Sequence, residues 1–205
     1  MLPKGSFATL ANGFQFHYHD GGQGDVVLFL HGSGTGASGF TNFKKNIDFF
    51  QRNGFRTIVP DLPGYGFSDK PEDEIYTMSF FNNLLLELLD HLNIANCSVV
   101  GNSLGGALAM GLSLEQPKRF SKLILMAPGG LEDFNAYQEM PGIKKLLGDF
   151  LGGEMNQEKI EGLLKLFPYD PSFVTKDIIE DRMEILPLMN QQVLASMDIP
   201  NLSEK

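Results

Sequence analysis

The stretch GNSLG, from Gly101 to Gly105, places one serine between two glycines. It follows the apolar run 97–100 (CSVV) and precedes small and apolar residues. A strand, G-x-S-x-G and a helix in this order are typical of a nucleophile elbow, a sharp turn that raises a serine hydroxyl above a sheet. We therefore interpret Ser103 as a candidate nucleophile, and we expect a side chain at Gly101 or Gly105 to collide with neighbouring backbone. The alternative is a buried turn that only packs a helix on a strand.

A nucleophile of this kind needs hydrogen-bond donors for the oxyanion that it creates. The amide of Leu104, at the start of the predicted helix, is one candidate. The glycine-rich segment 31–40 (HGSGTGASGF) follows another apolar run, and within it the amide of Ser33 is the second candidate. Gly32 and Gly34, which flank Ser33, would let the backbone approach a substrate.

The same glycines could instead cradle a phosphate, since GSGTG resembles part of a dinucleotide fingerprint. That function needs an acidic residue after the next strand. Asp61 holds this place, but the surrounding DLPGYG does not fit the pattern. His31 is a candidate general base, although its place directly after a strand favours a supporting role beneath the turn.

Apolar runs and helical spacing alternate along the first two thirds of the chain. Strands are predicted at 14–20, 25–30, 55–60, 97–101 and 121–128, and helices at about 41–52, after Ser79 as the N-cap, and after Ser103. This alternation predicts an α/β fold with a mostly parallel, doubly wound sheet. The loops 31–40, 61–71 and 101–105 all follow strands and should lie at one edge of the sheet, where ligands of such folds bind.

The rhythm changes near residue 130, where helical spacing continues without strands. We predict a core over 1–130, a helical cap over 131–200 that covers the edge, and the start of a return to the core at 201–205. The chain then stops roughly 70 to 80 residues short of a complete domain of this type. The C-terminal part of the core is therefore expected to be absent.

The composition excludes several classes of protein. The net charge of −9 disfavours nucleic acid as a partner, because phosphate binding needs a basic face. No run reaches the length of a membrane span or a signal peptide. Cys97 is the one cysteine, so no internal disulfide can form, which suits the cytoplasm. No metal or cofactor is expected, and the expected ligand is a small molecule.

Four segments together resemble the α/β-hydrolase fold, and more narrowly the meta-cleavage product hydrolases. They read HGSGTGASGFTNFKKNI, VPDLPGYGFSDKP, VVGNSLGGALAM and LILMAPGGL. Members of that family hydrolyse a carbon–carbon bond in 2-hydroxy-6-oxo-hexa-2,4-dienoate compounds during bacterial breakdown of aromatic compounds. The resemblance implies that Ser103 attacks the substrate or activates water, and that Ser33 and Leu104 supply the oxyanion amides. Homodimers are common among such hydrolases.

The resemblance also implies a site for the carboxylate and 2-oxo end of the dienoate. Asn42, Asn102 and Arg182 match the polar residues that bind it, and an arginine can hold a carboxylate with two parallel hydrogen bonds. From the residues alone, Arg182 could instead pair with acidic neighbours on its own helix, and Asn42 could cap its helix.

A serine hydrolase needs a histidine and an acid after the serine in the chain. All four histidines precede Ser103: His17, His19, His31 and His91. The chain is thus a fragment, which we favour, a truncated inactive product, or a binding module without turnover. The predicted function is a serine-dependent carbon–carbon bond hydrolase. The alternatives are a general carboxylesterase or lactonase on the same fold and an inactive, truncated ligand-binding relative.

Overall fold

A computed structural model describes residues 2–132, 134–151, 155–189 and 197–198. The strands are β1 (Ser6–Thr9), β2 (Gln15–Gly21), β3 (Asp25–Leu30), β4 (Phe55–Pro60), β5 (Tyr76–Thr77), β6 (Cys97–Asn102), β7 (Phe120–Met126) and β8 (Met197–Asp198). The α-helices are α1 (Gly39–Arg52), α2 (Met78–His91), α3 (Leu104–Glu115), α4 (Phe134–Glu139), α5 (Pro141–Leu151), α6 (Gln157–Leu164) and α7 (Lys176–Ile185). Short 3-10 helices cover Pro171–Phe173 and Leu186–Leu188.

Six strands form one sheet in the order β1-β2-β4-β3-β6-β7. β4, β3, β6 and β7 run parallel, whereas β1 and β2 join the sheet antiparallel. The predicted mostly parallel α/β sheet is therefore confirmed. Because β4, β3 and β6 are parallel neighbours, the loops that follow them meet at one edge of the sheet, as the sequence predicts.

The sheet is buried on both faces around β3. Leu28 and Leu30 belong to a cluster with residues of α2 and α3, whereas Val27 and Phe29 pack with α1 on the opposite face. Successive side chains of a strand point to opposite faces, so a strand between two helical layers must be apolar throughout. The run DVVLFL meets this requirement and fixes the height of the loop that begins at residue 31.

The start of α1 lies two residues earlier than predicted. Ser38 is the N-cap, and its hydroxyl accepts the amide of Thr41 at 3.1 Å while the Thr41 hydroxyl accepts the amide of Ser38 at 3.0 Å. This reciprocal pair satisfies two helix-end donors at once. The alternative in which Asn42 caps the helix is wrong, because Asn42 lies in the first turn and its amide bonds the carbonyl of Ser38.

The cap of α2 also differs from the prediction. The hydroxyl of Thr77 accepts the amide of Phe80 at 3.1 Å, so Thr77 and not Ser79 is the N-cap. Met78 is buried and already belongs to the helix, which moves the start upstream. Thr77 also pairs with β8, and a strand of two residues carries no periodic pattern that would reveal it.

The chain after β7 is mainly helical over the described residues, with α4 to α7 in succession. The predicted return to the core at 201–205 lies outside those residues. β7 is the last strand of its sheet, and Ile124, Leu125 and Met126 are exposed at its end. Among the described residues, no helix combines the length and the apolar character that crossing a bilayer requires.

Candidate active site

Ser103 occupies a strained turn between β6 and α3. Its φ of 51° and ψ of −114° lie in a region that residues other than glycine rarely adopt. The amide of Ser103 donates to the carbonyl of Met126 at 3.0 Å, and its carbonyl accepts the amides of Gly106 and Gly129, each at 2.9 Å. Such a conformation costs about 1–3 kcal/mol and persists only where surrounding contacts hold it. These backbone bonds provide that hold.

The two glycines of the motif are required for the close packing of this turn, as expected. A Cβ at Gly105 would overlap the carbonyl of Leu30, and a Cβ at Gly101 would overlap the carbonyl of Gly105. α3 therefore begins in direct contact with the ends of β3 and β6. This contact sets the height of Ser103 above the sheet.

The side chain of Ser103 faces the loop that follows β3. A Cβ placed on Gly32 would lie 3.1 Å from the Cβ of Ser103 and 2.8 Å from Oδ1 of Asn102. Ser103 itself is only half-buried. The Cβ of Ser103 thus lies beside the glycine-rich loop, as the elbow interpretation predicts.

His31 supports this loop from below and is fully buried. Its Nε2 accepts the amide of Leu62 at 2.9 Å, so the ring proton resides on Nδ1, which donates to the carbonyl of Gly32 at 2.8 Å. Burial lowers the pKa of His31 to about 4, which keeps the ring neutral. The supporting role agrees with the sequence interpretation, and the ring has no nitrogen left for Ser103.

The bond from His31 also orients the next amide. The carbonyl of Gly32 and the N–H of Ser33 belong to one peptide unit, and no described peptide bond is cis. In a trans peptide these two groups point in opposite directions. With the carbonyl held down by His31, the N–H of Ser33 points away from the ring. The other candidate donor, Leu104, is the first residue of α3, where an amide has no partner within its own helix.

Asp61 is a buried structural anion. Its carboxylate accepts Nδ1 of His17 at 2.8 Å and the amides of Gly39 at 2.8 Å and Phe67 at 2.9 Å. Burial alone would raise the pKa of Asp61, but the hydrogen bond and charge of His17 and the amide of Phe67 outweigh it, and the pKa is lowered. These bonds occupy the carboxylate, so Asp61 is not placed to bind a ribose. The dinucleotide-binding alternative therefore lacks the free acidic residue that it requires.

A tight turn within the loop after β3 packs against α7. The amide of Ala37 donates to the carbonyl of Gly34 at 3.1 Å, and Gly34 and Gly36 have φ values of 148° and 67° that favour glycine. A Cβ on Gly36 would lie 2.5 Å from the carbonyl oxygen of Arg182, and Nη1 of Arg182 donates to the carbonyl of Thr35 at 3.3 Å. Arg182 therefore sits directly on the loop that faces Ser103.

Arg182 has no carboxylate partner among the described residues, so the pairing alternative is wrong. Lys44 takes the neighbouring carboxylate of Asp181 and lies 2.7 Å from that of Asp177. Glu180 pairs with Lys176 at 3.1 Å. Burial lowers the pKa of Arg182 to about 10, and its Nε has no hydrogen-bond partner in the described part of the chain. A half-buried guanidinium without a carboxylate partner favours the arrival of an anion.

The two candidate asparagines are placed differently. Asn102 ends β6, with Oδ1 towards Gly32 and Nδ2 at 3.4 Å from the carbonyl of Met126. Asn42 is half-buried in the first turn of α1. In the described residues, no hydrogen bond or ring contact joins the Asn42 side chain to Ser103 or Arg182. Gly34 has open space on its Cβ side, which leaves room for a ligand.

No histidine of the sequence lies against Ser103. His17 binds Asp61, His31 supports the loop, and His19 packs between the rings of His17 and Phe40. His91 ends α2 and precedes β6, so it lies towards the opposite end of the strands from the site loops. The proton acceptor that a serine nucleophile needs is therefore not one of these four rings.

The model of the α/β hydrolase fold family matches residues 25–157, and the chain belongs to this family. It is 38% identical over 171 residues to a 2-hydroxy-6-oxo-6-phenylhexa-2,4-dienoate hydrolase of Burkholderia cepacia, a span of 82% of this chain and 59% of the relative. It is 37% identical over 171 residues to a 2-hydroxy-6-oxononadienedioate/2-hydroxy-6-oxononatrienedioate hydrolase of Comamonas testosteroni, again 82% and 59%.

Among solved structures, the chain resembles the meta-cleavage product hydrolase of Pseudomonas fluorescens, solved as a serine-to-alanine mutant complexed with acetates. The TM-score is 0.77 at 30% identity, over 94% of this chain and 66% of that one. The narrower resemblance expected from the four motifs is thus confirmed: the neighbours are meta-cleavage product hydrolases. The chain spans about three fifths of the length of the curated relatives that it matches.

Two features of the site were missed from sequence. Thr35 lies between two glycines and contacts Arg182 through its carbonyl, and Lys44 fastens α7 to α1. Both depend on residues more than 130 positions apart, so no local spacing could reveal them. The only local signal was the high glycine content around Thr35, which marks backbone that approaches another element closely.

Proposed function

We propose that this chain provides the nucleophile, the oxyanion amides and the carboxylate site of a serine-dependent carbon–carbon bond hydrolase. The proposed substrate is a 2-hydroxy-6-oxo-dienoate formed by ring cleavage of an aromatic compound. The observation that carries the proposal is the position of one loop, 31–36. Ser103 faces it on one side, and the unpaired guanidinium of Arg182 rests on it from above.

In this proposal the carboxylate and 2-oxo end of the substrate binds near Arg182. The guanidinium donates to the carboxylate, and the carboxamides of Asn42 and Asn102 offer donors and acceptors to the 2-oxo end. Holding this end favours conversion of the dienol to its keto tautomer, with a proton moved to carbon. The keto form makes the bond between C5 and C6 breakable, because the departing C5 fragment can then accept the electron pair.

The C6 ketone then lies by Ser103. Either the hydroxyl adds to C6 or it activates a water that does so, and the oxygen of the ketone becomes an oxyanion. The amides of Ser33 and Leu104 receive that charge. Collapse of the adduct breaks the C5–C6 bond, and a carboxylic acid and a 2-hydroxydienoate leave after the net addition of one water. The base for these transfers comes from a group other than the four histidines.

The names of the relatives support this choice of substrate. The two curated relatives are named as hydrolases of 2-hydroxy-6-oxo-dienoates or related dienedioates, and both substrates carry a carboxylate. The structural neighbour was solved with acetates, which are also carboxylates. The proposed setting is the cytoplasm, where the buried thiol of Cys97 stays reduced, with a homodimer as the proposed assembly.

A second candidate function is ligand binding without turnover. It is favoured by one observation, namely that none of the four histidines reaches Ser103. Chemical rescue separates the two functions, because added imidazole can act as the missing base where a pocket and a nucleophile are already in place. The test compares the wild-type chain with Ser103→Ala, in which the hydroxyl alone is removed.

The yellow dienoate is mixed with each protein, and loss of its absorbance is followed at increasing imidazole concentration. We expect consumption that rises with imidazole in the wild type and is at least about 100-fold slower in Ser103→Ala. A p-nitrophenyl ester serves as the comparison for a general esterase. Equal consumption by both proteins would contradict the proposal, and tight binding without imidazole-dependent turnover would favour the second function.

A further inference from the structure

Thr35 is buried at the contact between the glycine-rich loop and α7. The residue is 5% exposed, yet its hydroxyl has no hydrogen-bond partner among the described residues. A buried hydroxyl without a partner costs about 1–3 kcal/mol, so such groups are rare and call for an explanation. A structural threonine at this position would be expected to bond a nearby carbonyl.

A second unsatisfied donor lies beside it. Nε of Arg182 is also buried without a partner in the described part of the chain, although Nη1 of the same guanidinium donates to the Thr35 carbonyl at 3.3 Å. The hydroxyl of Thr35 belongs to the residue that the guanidinium contacts. These two donors do not satisfy each other, so a third group with acceptor atoms would complete both.

The charge of Arg182 indicates the chemistry of the group that would accept from both donors. Arg182 is a half-buried cation with no carboxylate from the described residues, and loss of solvent around its guanidinium lowers its pKa to about 10. The geometry is fixed on both sides, because Gly36 packs on the backbone of Arg182 and its amide donates to Sδ of Met189 at 2.9 Å. An anion with two acceptor oxygens would remove the cost of the charge and of both orphan donors.

We infer that the hydroxyl of Thr35 is a substrate-binding group that donates to the same carboxylate as Arg182. The inference rests on the proposed function, because the carboxylate is that of the proposed dienoate. It adds a residue to the site and gives it a specificity role: an acid binds more tightly than the corresponding ester, which lacks the charge and one free oxygen.

The test measures binding in the Ser103→Ala background, so that no substrate is consumed. Thr35→Val removes the hydroxyl with little change of shape, and Thr35→Ser is the matched control that keeps it. The dissociation constants of the dienoate and of its methyl ester are read from the shift of the chromophore. We expect Thr35→Val to weaken the dienoate about tenfold or more and the ester less than twofold, with Thr35→Ser within threefold of the parent.

The stability of the free protein gives an independent measurement. Because Thr35→Val replaces an unsatisfied buried hydroxyl by a methyl group, its Tm without ligand should equal or exceed that of the parent. A purely structural hydroxyl would instead lower it. Equal weakening of acid and ester, no weakening of either, or a lowered Tm with unchanged affinity would overturn the inference.

The failure of the inference can be told from that of the proposed function. If the dienoate binds and Arg182→Gln weakens it while Thr35→Val does not, only the role of Thr35 is wrong. If the Ser103→Ala protein binds no dienoate, the inference and the proposed function fail together.

Discussion

Nε2 of His31 accepts the backbone amide of Leu62, which lies on the loop after the adjacent strand β4. The loop after β4 thereby selects the tautomer of the His31 ring, which follows the neighbouring strand β3. The tautomer determines that Nδ1 carries the proton and grips the carbonyl of Gly32, and the trans peptide then aims the amide of Ser33. A residue that never reaches the substrate can thus control a candidate oxyanion donor.

Two replacements of His31 separate its two hydrogen bonds. Asn places an amide donor near the position of Nδ1 and keeps the bond to Gly32, whereas Gln places an oxygen near Nε2 and keeps the bond to Leu62. We expect His31→Gln to lower kcat about 100-fold with little change in KM, and His31→Asn to lower it less than about tenfold. The measurement is imidazole-supported turnover of the dienoate.

The stability of both variants, measured by urea unfolding, provides the control. A purely structural ring would make kcat follow stability, so similar losses of kcat in the Asn and Gln variants would contradict this role for His31. A rise in KM at constant kcat would contradict it as well.

Acid should destabilise the protein through the same ring. The pKa of His31 is about 4 in the folded chain, because of burial, against 6.5 for an ordinary histidine. As the pH falls below 6.5 the unfolded chain therefore takes up a proton first. The contribution of the neutral His31 ring to the free energy of unfolding is fully present above pH 6.5. It is lost as the pH falls to about 4, and the loss is at most about 3 kcal/mol. His19, whose pKa is also lowered by burial, adds to this loss.

Urea unfolding between pH 7 and pH 4.5 measures that slope. The free energy of unfolding should fall less steeply in His31→Gln than in the wild type. His91→Gln, a change at the exposed end of α2, is the comparison variant. Identical slopes in all three proteins would show that His31 does not cause the pH dependence.

Gly105 should tolerate no side chain. A Cβ there would overlap the carbonyl of Leu30, which is backbone of the central strand and cannot move aside. We expect Gly105→Ala to lower the free energy of unfolding by more than about 3 kcal/mol or to prevent folding. Gly162→Ala, in α6 with open space around it, should raise stability by about 0.5–1 kcal/mol. Thermal unfolding compares the two, and a mild effect at Gly105 would mean that α3 does not touch β3.

Lys44 should hold α7 on the core. It contacts Asp181, which is only 8% exposed, so Lys44→Met leaves a largely buried carboxylate without its partner. We expect a loss of about 2 kcal/mol, largely recovered when Asp181→Leu is added. Lys176→Met, which removes an exposed pair within α7, should cost less than about 0.5 kcal/mol. Additive effects of Lys44→Met and Asp181→Leu in urea unfolding would contradict the coupling.

Much of the fold could be predicted from local patterns. The run DVVLFL predicts β3 with both ends correct, because a strand buried on both faces is apolar throughout. The elbow at Ser103 was predicted because the pattern strand, G-x-S-x-G and helix is local, although Gly105 is required by its contact with the distant Leu30. The predicted start of α2 was wrong. Both Thr77 and Ser79 can cap a helix, and only the burial of Met78 decides between them. The contact between Thr35 and Arg182 depends on tertiary packing, which no spacing encodes.

The backbone of Ser103, with φ at 51°, has a consequence for how the protein ages or is heated. The bend is stable only while Met126, Gly106 and Gly129 hold it, so relaxation of any one of them lets the residue return to ordinary angles. The hydroxyl would then leave its position beside the loop 31–36 while most helices and strands persist. Imidazole-supported turnover should thus be lost before the global structure melts.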